Sequence, residues 1–110
     1  MIAEILNAAK IENRQGRFLR MPEGTHAVYF DDLEVEAVDW VPSGTAGAPK
    51  IIHHSVRVEV YEPKPDPDTE AALEAEFDAR GISWTKEDRY WLQDAQRYQV
   101  LYEFEYTVKS

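Results

Sequence analysis

Arg97-Tyr98-Gln99-Val100-Leu101-Tyr102-Glu103-Phe104-Glu105-Tyr106-Thr107-Val108 carries an apolar or aromatic side chain at every second position from Tyr98 to Val108. Successive side chains of a strand project to opposite faces, so a period of two reads as one long strand with Tyr98 to Val108 facing a core. The most strongly patterned segment of the chain is therefore spent on a sheet. A strand ending this close to Ser110 is expected to complete a single domain spanning 1–110.

Moving back along the chain, Ile51 to Tyr61 repeats the pattern, with Val56, Val58 and Val60 on one side and Ser55, Arg57, Glu59 and Tyr61 on the other. Between the two strands lies a well-punctuated helix. Pro63, Pro65 and Pro67 interrupt the strand, Asp66 suits an N-cap, and Pro67 suits the first helical position. Asp68 and Glu70 favour the positive end of the helix dipole, and Gly81 provides a stop after Arg80. Leu73 and Phe77 share the face that should lie on the sheet.

The N-terminal third is less regular. Ile2, Ile5, Leu6 and Ala9 fall at helical spacing, which predicts a short amphipathic helix extending to Ile11, with Gly16 in the loop after it. Thr25 to Phe30 and Leu33 to Val38 are rich in strand formers. Asp31-Asp32 between them reads either as a hairpin turn or as part of one long bulged strand. Val41 to Lys50 holds Pro42, Gly44, Gly47 and Pro49 and is expected to be a loop. Ile82-Ser83-Trp84 is a short strand candidate, and Lys86 to Gln96 is open between a hairpin and a helical turn. The fold expected is α+β: a mostly antiparallel β-sheet with two helices packed on one face.

The chain of 110 residues has a formal charge of −9 and no cysteine. Disulfides, thiolate metal sites and thiol nucleophiles are thereby excluded. A dense basic surface for gripping nucleic acid is excluded as well. Met1 to Leu6 lacks a basic region followed by an apolar run, so no signal peptide is expected, and no stretch is long enough to cross a bilayer.

Candidate chemistry is sparse. His53 and His54 are adjacent on a strand, so their imidazoles point to opposite faces and cannot close on one ion, and His26 is remote in sequence. Asp31, Asp32 and Asp39 are residues that turns favour for backbone hydrogen bonding. Ser43, Ser55 and Ser83 lack a nucleophile elbow, and Gly44 to Gly47 lacks the lysine and spacing of a phosphate loop. No catalytic residue, cofactor site or metal site is assigned, and the chain is not expected to be an enzyme. The aromatic residues fit packing and protein contact, with Trp40 beside the Pro/Gly loop the best exposed candidate.

His26 to Phe30, Ser55 to Tyr61, the acidic-capped helix from Asp66 to Arg80, Gly81 to Trp84 and Arg97 to Phe104 follow one another in an informative order. The most specific pieces are Val58-Glu59-Val60-Tyr61 ahead of the Pro/Asp-rich helix start, and the run from Arg97 to Tyr106. From Arg17 onward the chain resembles the small tail-terminator, or tail-completion, proteins of long-tailed bacteriophages and prophages. The resemblance implies a ring of subunits, commonly a hexamer, at the head-proximal end of the tail tube. It implies contacts with copies of itself, with the tail-tube protein and with head–tail connector proteins. DNA would pass without being specifically bound, and the protein would reside in the virion tail after assembly in the host cytoplasm. No catalytic residues come with the family. The loop from Val41 to Lys50 and the double histidine depart from its pattern.

On this reading the candidate assembly contacts are Trp40, Val41, Pro42, Ile51, His53 and Trp91. The alternative is an acidic binding module, such as a nucleic-acid mimic that inhibits a DNA-binding protein. That would need one continuous acidic face, which the spread of Glu34, Glu36, Glu59, Glu70, Glu74, Glu76, Glu103 and Glu105 over several elements does not favour.

Overall fold

The computed structural model describes residues 1–37 and 50–109. Its elements are α1 (Ile2–Ala8), β1 (Glu12–Gln15), β2 (His26–Ala37), β3 (Lys50–Glu62), α2 (Pro67–Ala79), β4 (Trp84–Lys86), β5 (Tyr90–Leu92) and β6 (Arg97–Lys109). The strands form one sheet in the order β1-β2-β3-β6-β4, with β5 pairing β6 on the edge that β4 also uses. Among the described residues only β1 and β2 run parallel. The α+β class, the mostly antiparallel sheet and the packing of both helices against it are as the sequence predicts.

Both helices end in the same device. Beyond α1, Lys10 adopts φ 60° while the Ile11 N–H donates to Leu6 O and the Lys10 N–H to Asn7 O. Beyond α2, Gly81 adopts φ 68° while the Ile82 N–H donates to Phe77 O and the Gly81 N–H to Asp78 O. This paired capping satisfies carbonyls that the helix leaves open. It ends α1 short of the expected Ile11, whose side chain is instead buried in the core. At the start of α2, Asp66 accepts from the Thr69 N–H at 3.2 Å and from the hydroxyls of Thr69 and Thr25, each at 2.7 Å. Those hydroxyls, Thr25 first, hold the Asp66 carboxyl below its ordinary range and tie the helix to the approach of β2.

Two expectations are corrected and one open reading is resolved. Asp31 and Asp32 form neither a turn nor a bulge, because β2 pairs β3 without interruption from His26↔Tyr61 to Ala37↔Lys50. Asp31 accepts from His54 Nδ1 at 2.9 Å, which gives a mid-strand carboxylate a partner. Glu12–Gln15, expected between helix end and loop, forms β1, a polar strand with no hydrophobic period of its own. Gly16, at φ 81°, closes that strand and donates its N–H to Tyr29 O. The ambiguous stretch from Lys86 to Gln96 contains β5 and turns back into β6 as a hairpin. The expected loop from Val41 lies outside the described residues up to Lys50, which begins β3.

The core lies between the helices and one sheet face. Ile5 and Leu6 of α1 and Leu73 and Phe77 of α2 cover Ala27, Val56, Val58, Val60, Val100, Tyr102 and Phe104. Phe77 packs obliquely on Phe104 at 5.3 Å and edge-on to Tyr102 at 5.8 Å. The buried Tyr102 hydroxyl donates to Glu74 at 2.7 Å, so its burial leaves no donor unpaired. Phe77 is fully buried among rings and cannot be replaced by water. Phe77→Ala should lower the unfolding free energy by about 3–5 kcal/mol, read from the urea midpoint at unchanged slope.

Candidate assembly surface

Pairing in register places side chains in rows across the sheet. On the helix side the rows Ala27–Val60–Val100, Tyr29–Val58–Tyr102 and Asp31–Val56–Phe104 lie under the helices. The next two rows, Leu33–His54–Tyr106 and Val35–Ile52–Val108, run past them. There Leu33 is 62% exposed and Val35 58%, whereas Val58 and Val60 are fully buried. The far halves of β2, β3 and β6 thus form a three-stranded extension with bare apolar side chains, and the molecule measures 57 × 29 × 22 Å.

On the opposite, helix-free face of the sheet the rows read Glu36–Ile51–Lys109, Glu34–His53–Thr107, Asp32–Ser55–Glu105, Phe30–Arg57–Glu103 and Val28–Glu59–Leu101. Acidic side chains therefore flank a central strand that presents Ser55, Arg57 and His53. Arg57 lies 4.7 Å from the Phe30 ring centroid and 3.4 Å from the Glu59 carboxylate. A shallow concavity lined by Asp32, Ser55, Arg57, Thr85, Glu103 and Glu105 runs between the acidic flanks. Five of the glutamates that the sequence scatters over separate segments, together with Asp32, share this one face. Strand pairing, which no single segment reveals, brings these together, while Glu70, Glu74 and Glu76 lie on α2.

The two adjacent histidines point to opposite faces, as the strand period predicts. His53 Nε2–H donates to Glu36 at 3.0 Å on the helix-free face, leaving Nδ1 to accept from the Thr107 hydroxyl at 3.3 Å. His54 stacks on Tyr106 at 4.2 Å, nearly parallel, on the helix side. His26 lies far along β2, buried against Tyr61 and Phe18, and its burial lowers its pKa. Ile51 and His53 share the extension, but Trp91 lies at the other end of the sheet, edge-on to Tyr98 at 4.9 Å and 42% exposed. The span from Tyr98 to Lys109 on β6 is about 36 Å, so these candidates are not one patch. Trp40, Val41 and Pro42 lie outside the described residues.

One cluster escapes sequence reading altogether. Glu62, at the end of β3, and Glu70, on α2, are both buried. Arg89 donates to Glu62 at 3.0 Å and also to Glu70, while Lys86 donates to Glu70 at 2.9 Å and to Glu74 at 2.8 Å. The second oxygen of Glu62 is buried without a partner among the described residues. Burial, with Glu70 beside it, pushes the Glu62 carboxyl up to about 7. Burial would raise Glu70 too, but Glu62, Lys86 and Arg89 outweigh it and hold that carboxyl below its ordinary value. Paired carboxyls with diverging acidities can mark acid–base chemistry. Here both are clamped by cations against the helix–sheet interface, and the arrangement pins the segment between β4 and β5 onto α2.

No family model matches the chain, and no curated protein is similar enough to it to count as a relative. Among the described residues no helix is long and apolar enough to cross a membrane, and no three potential ligand side chains gather as a metal site.

The Glu62 geometry makes a pH prediction. Its folded-state pKa lies above the ordinary 4.5, so its contribution to stability is complete below that value. The contribution is lost as pH rises through about 7. Glu62→Gln keeps the neutral form at every pH. Between pH 5 and 8 the variant should lose less stability than the parent in urea titrations, and parallel profiles would show Glu62 ionised throughout.

Proposed function

We propose that this chain is a structural protein of a phage or prophage tail, capping the tail tube and taking part in head–tail joining as a ring of its own copies. The observation that carries the reading is the three-stranded extension, with bare apolar rows on one face and a flanking set of carboxylates on the other. A monomer gains nothing by exposing Leu33, Val35 and Val108 in adjacent rows. Contiguous exposed apolar surface is a mark of contact with another protein. Ring closure requires heterologous contacts between different surfaces of neighbouring subunits, and an elongated subunit with an unpaired end offers them. Carboxylates turned toward a channel would repel DNA phosphates and let the genome pass without adhering. The partners on this reading are further copies, the tail-tube protein and the connector. The working location is the virion tail, after assembly in the host cytoplasm.

The acidic binding module remains a second reading because Asp32, Glu34, Glu36, Glu59, Glu103 and Glu105 share a face. Carboxylates two residues apart on a strand stand about 6.8 Å apart, a pitch that an inhibitor of a DNA-binding protein could use. Such an inhibitor would compete with duplex DNA in proportion to the charge on this face.

The deciding experiment is electron microscopy of particles made without the protein. Overlong or headless tails, restored by the parent chain but not by a folded Leu33→Ser/Val35→Ser variant, are expected. Tails of normal length joined to heads would reject the tail role.

A further inference from the structure

Both edges of the extension are open among the described residues. β1 pairs only with His26 to Tyr29, so nothing among them pairs with β2 from Phe30 to Ala37 on that side. Tyr29 O accepts from Gly16 N–H across this edge. Backbone groups alternate sides along an antiparallel strand, so Asp31, Leu33 and Val35 also point their N–H and C=O groups outward, away from β3. The side chains along that edge are segregated. Asp32, Glu34 and Glu36 stand on the helix-free face, while Leu33 and Val35 stand on the other.

We propose that the outer edge of β2 from Phe30 to Ala37 is a strand-addition site for an extended segment of another protein that alternates lysine or arginine with apolar residues. Backbone hydrogen bonds would supply the ladder, and the alternating side chains would supply selectivity. The charge pattern chooses the occupant. A second copy of β2 would set its own acids against these, whereas the open end of β6 offers Glu105, Thr107 and Lys109, too few cations to match three carboxylates. Like charges opposite one another disfavour pairing. Charged edge residues commonly protect a sheet from self-association, and these disfavour β2-to-β2 pairing between copies while attracting a basic strand. A basic strand would face Asp32, Glu34 and Glu36 and lay its apolar residues beside Leu33 and Val35. The far end of β6, with Glu105, Thr107 and Lys109, has no such single-sign row. The proposal deepens the assembly role and rests on it only for the partner being another virion component.

The test uses the full chain and a blocked eight-residue peptide of alternating lysine and valine. A peptide of the same composition with its lysines grouped, and one with glutamate for lysine, serve as controls. The alternating basic peptide should slow hydrogen exchange at the Asp31, Leu33 and Val35 amides, bind more weakly as salt rises, and outcompete both controls. Val35→Pro removes an outward N–H that the β2–β3 ladder does not use, and should weaken binding about tenfold or more with the fold intact. Glu34→Lys/Glu36→Lys should transfer the preference to the glutamate peptide. Protection elsewhere, indifference to charge reversal, absence of binding at millimolar peptide, or amides already protected in a self-associated chain would each overturn the site. A chain that binds the peptide but is dispensable for tails would keep this site and sink the tail role. A chain essential for tails that ignores the peptide would do the reverse.

Discussion

The pairing of β3 with β2 on one side and β6 on the other, unbroken over nearly its whole length, is the constraint on which the rest of the molecule depends. Because the side-chain period is two, one register fixes the face of every residue in all three strands at once. A slip by one position would send Val56, Val58 and Val60 to the open face and bring Arg57 and Glu59 into the core. The hydrophobic gain from burying those valines under Leu73 and Phe77 is what holds the register.

The helices cover only part of what this register creates. α1 and α2 are short relative to β2, β3 and β6, so the apolar row pattern continues past them into solvent. Near the helices, most buried polar groups are partnered, as in the Tyr102–Glu74 bond and the Arg89 clamp on Glu62 and Glu70, with one oxygen of Glu62 the exception. On the extension, partners are looser and partly exposed, as in the His53–Glu36 pair. One end of the molecule is thus a finished core, and the other is a sheet whose apolar rows stay exposed and whose edges are open among the described residues.

Legibility followed the locality of the signal. α2 could be read almost to the residue because Asp66, Pro67 and Gly81 act on their own backbone. β6 and the inner half of β3 could be read because each carries its own alternation. β1 could not be read, since Glu12 to Gln15 is polar and exists as a strand only because the start of β2 lies alongside it. The Asp31–Asp32 pair looked like a turn by composition. Its role as strand depended on Ser55, Val56 and His54 waiting opposite, more than twenty residues away. The buried carboxyl cluster was equally hidden, since Glu62, Glu70 and Arg89 come from β3, α2 and the connection between β4 and β5.

By itself the amino-acid sequence determined the class of fold, the limits of its best-formed helix and the side of each long strand that would be apolar. These follow from backbone preferences and periodicity within a few residues. Only the tertiary structure decided that Asp32, Glu34, Glu36, Glu59, Glu103 and Glu105 share one face, that His53 and Trp91 lie at opposite ends, and that the helices stop short of the sheet's far end. Those outcomes depend on which strand pairs with which and in what register. Contacts between residues far apart in the chain set that, and no local pattern encodes it.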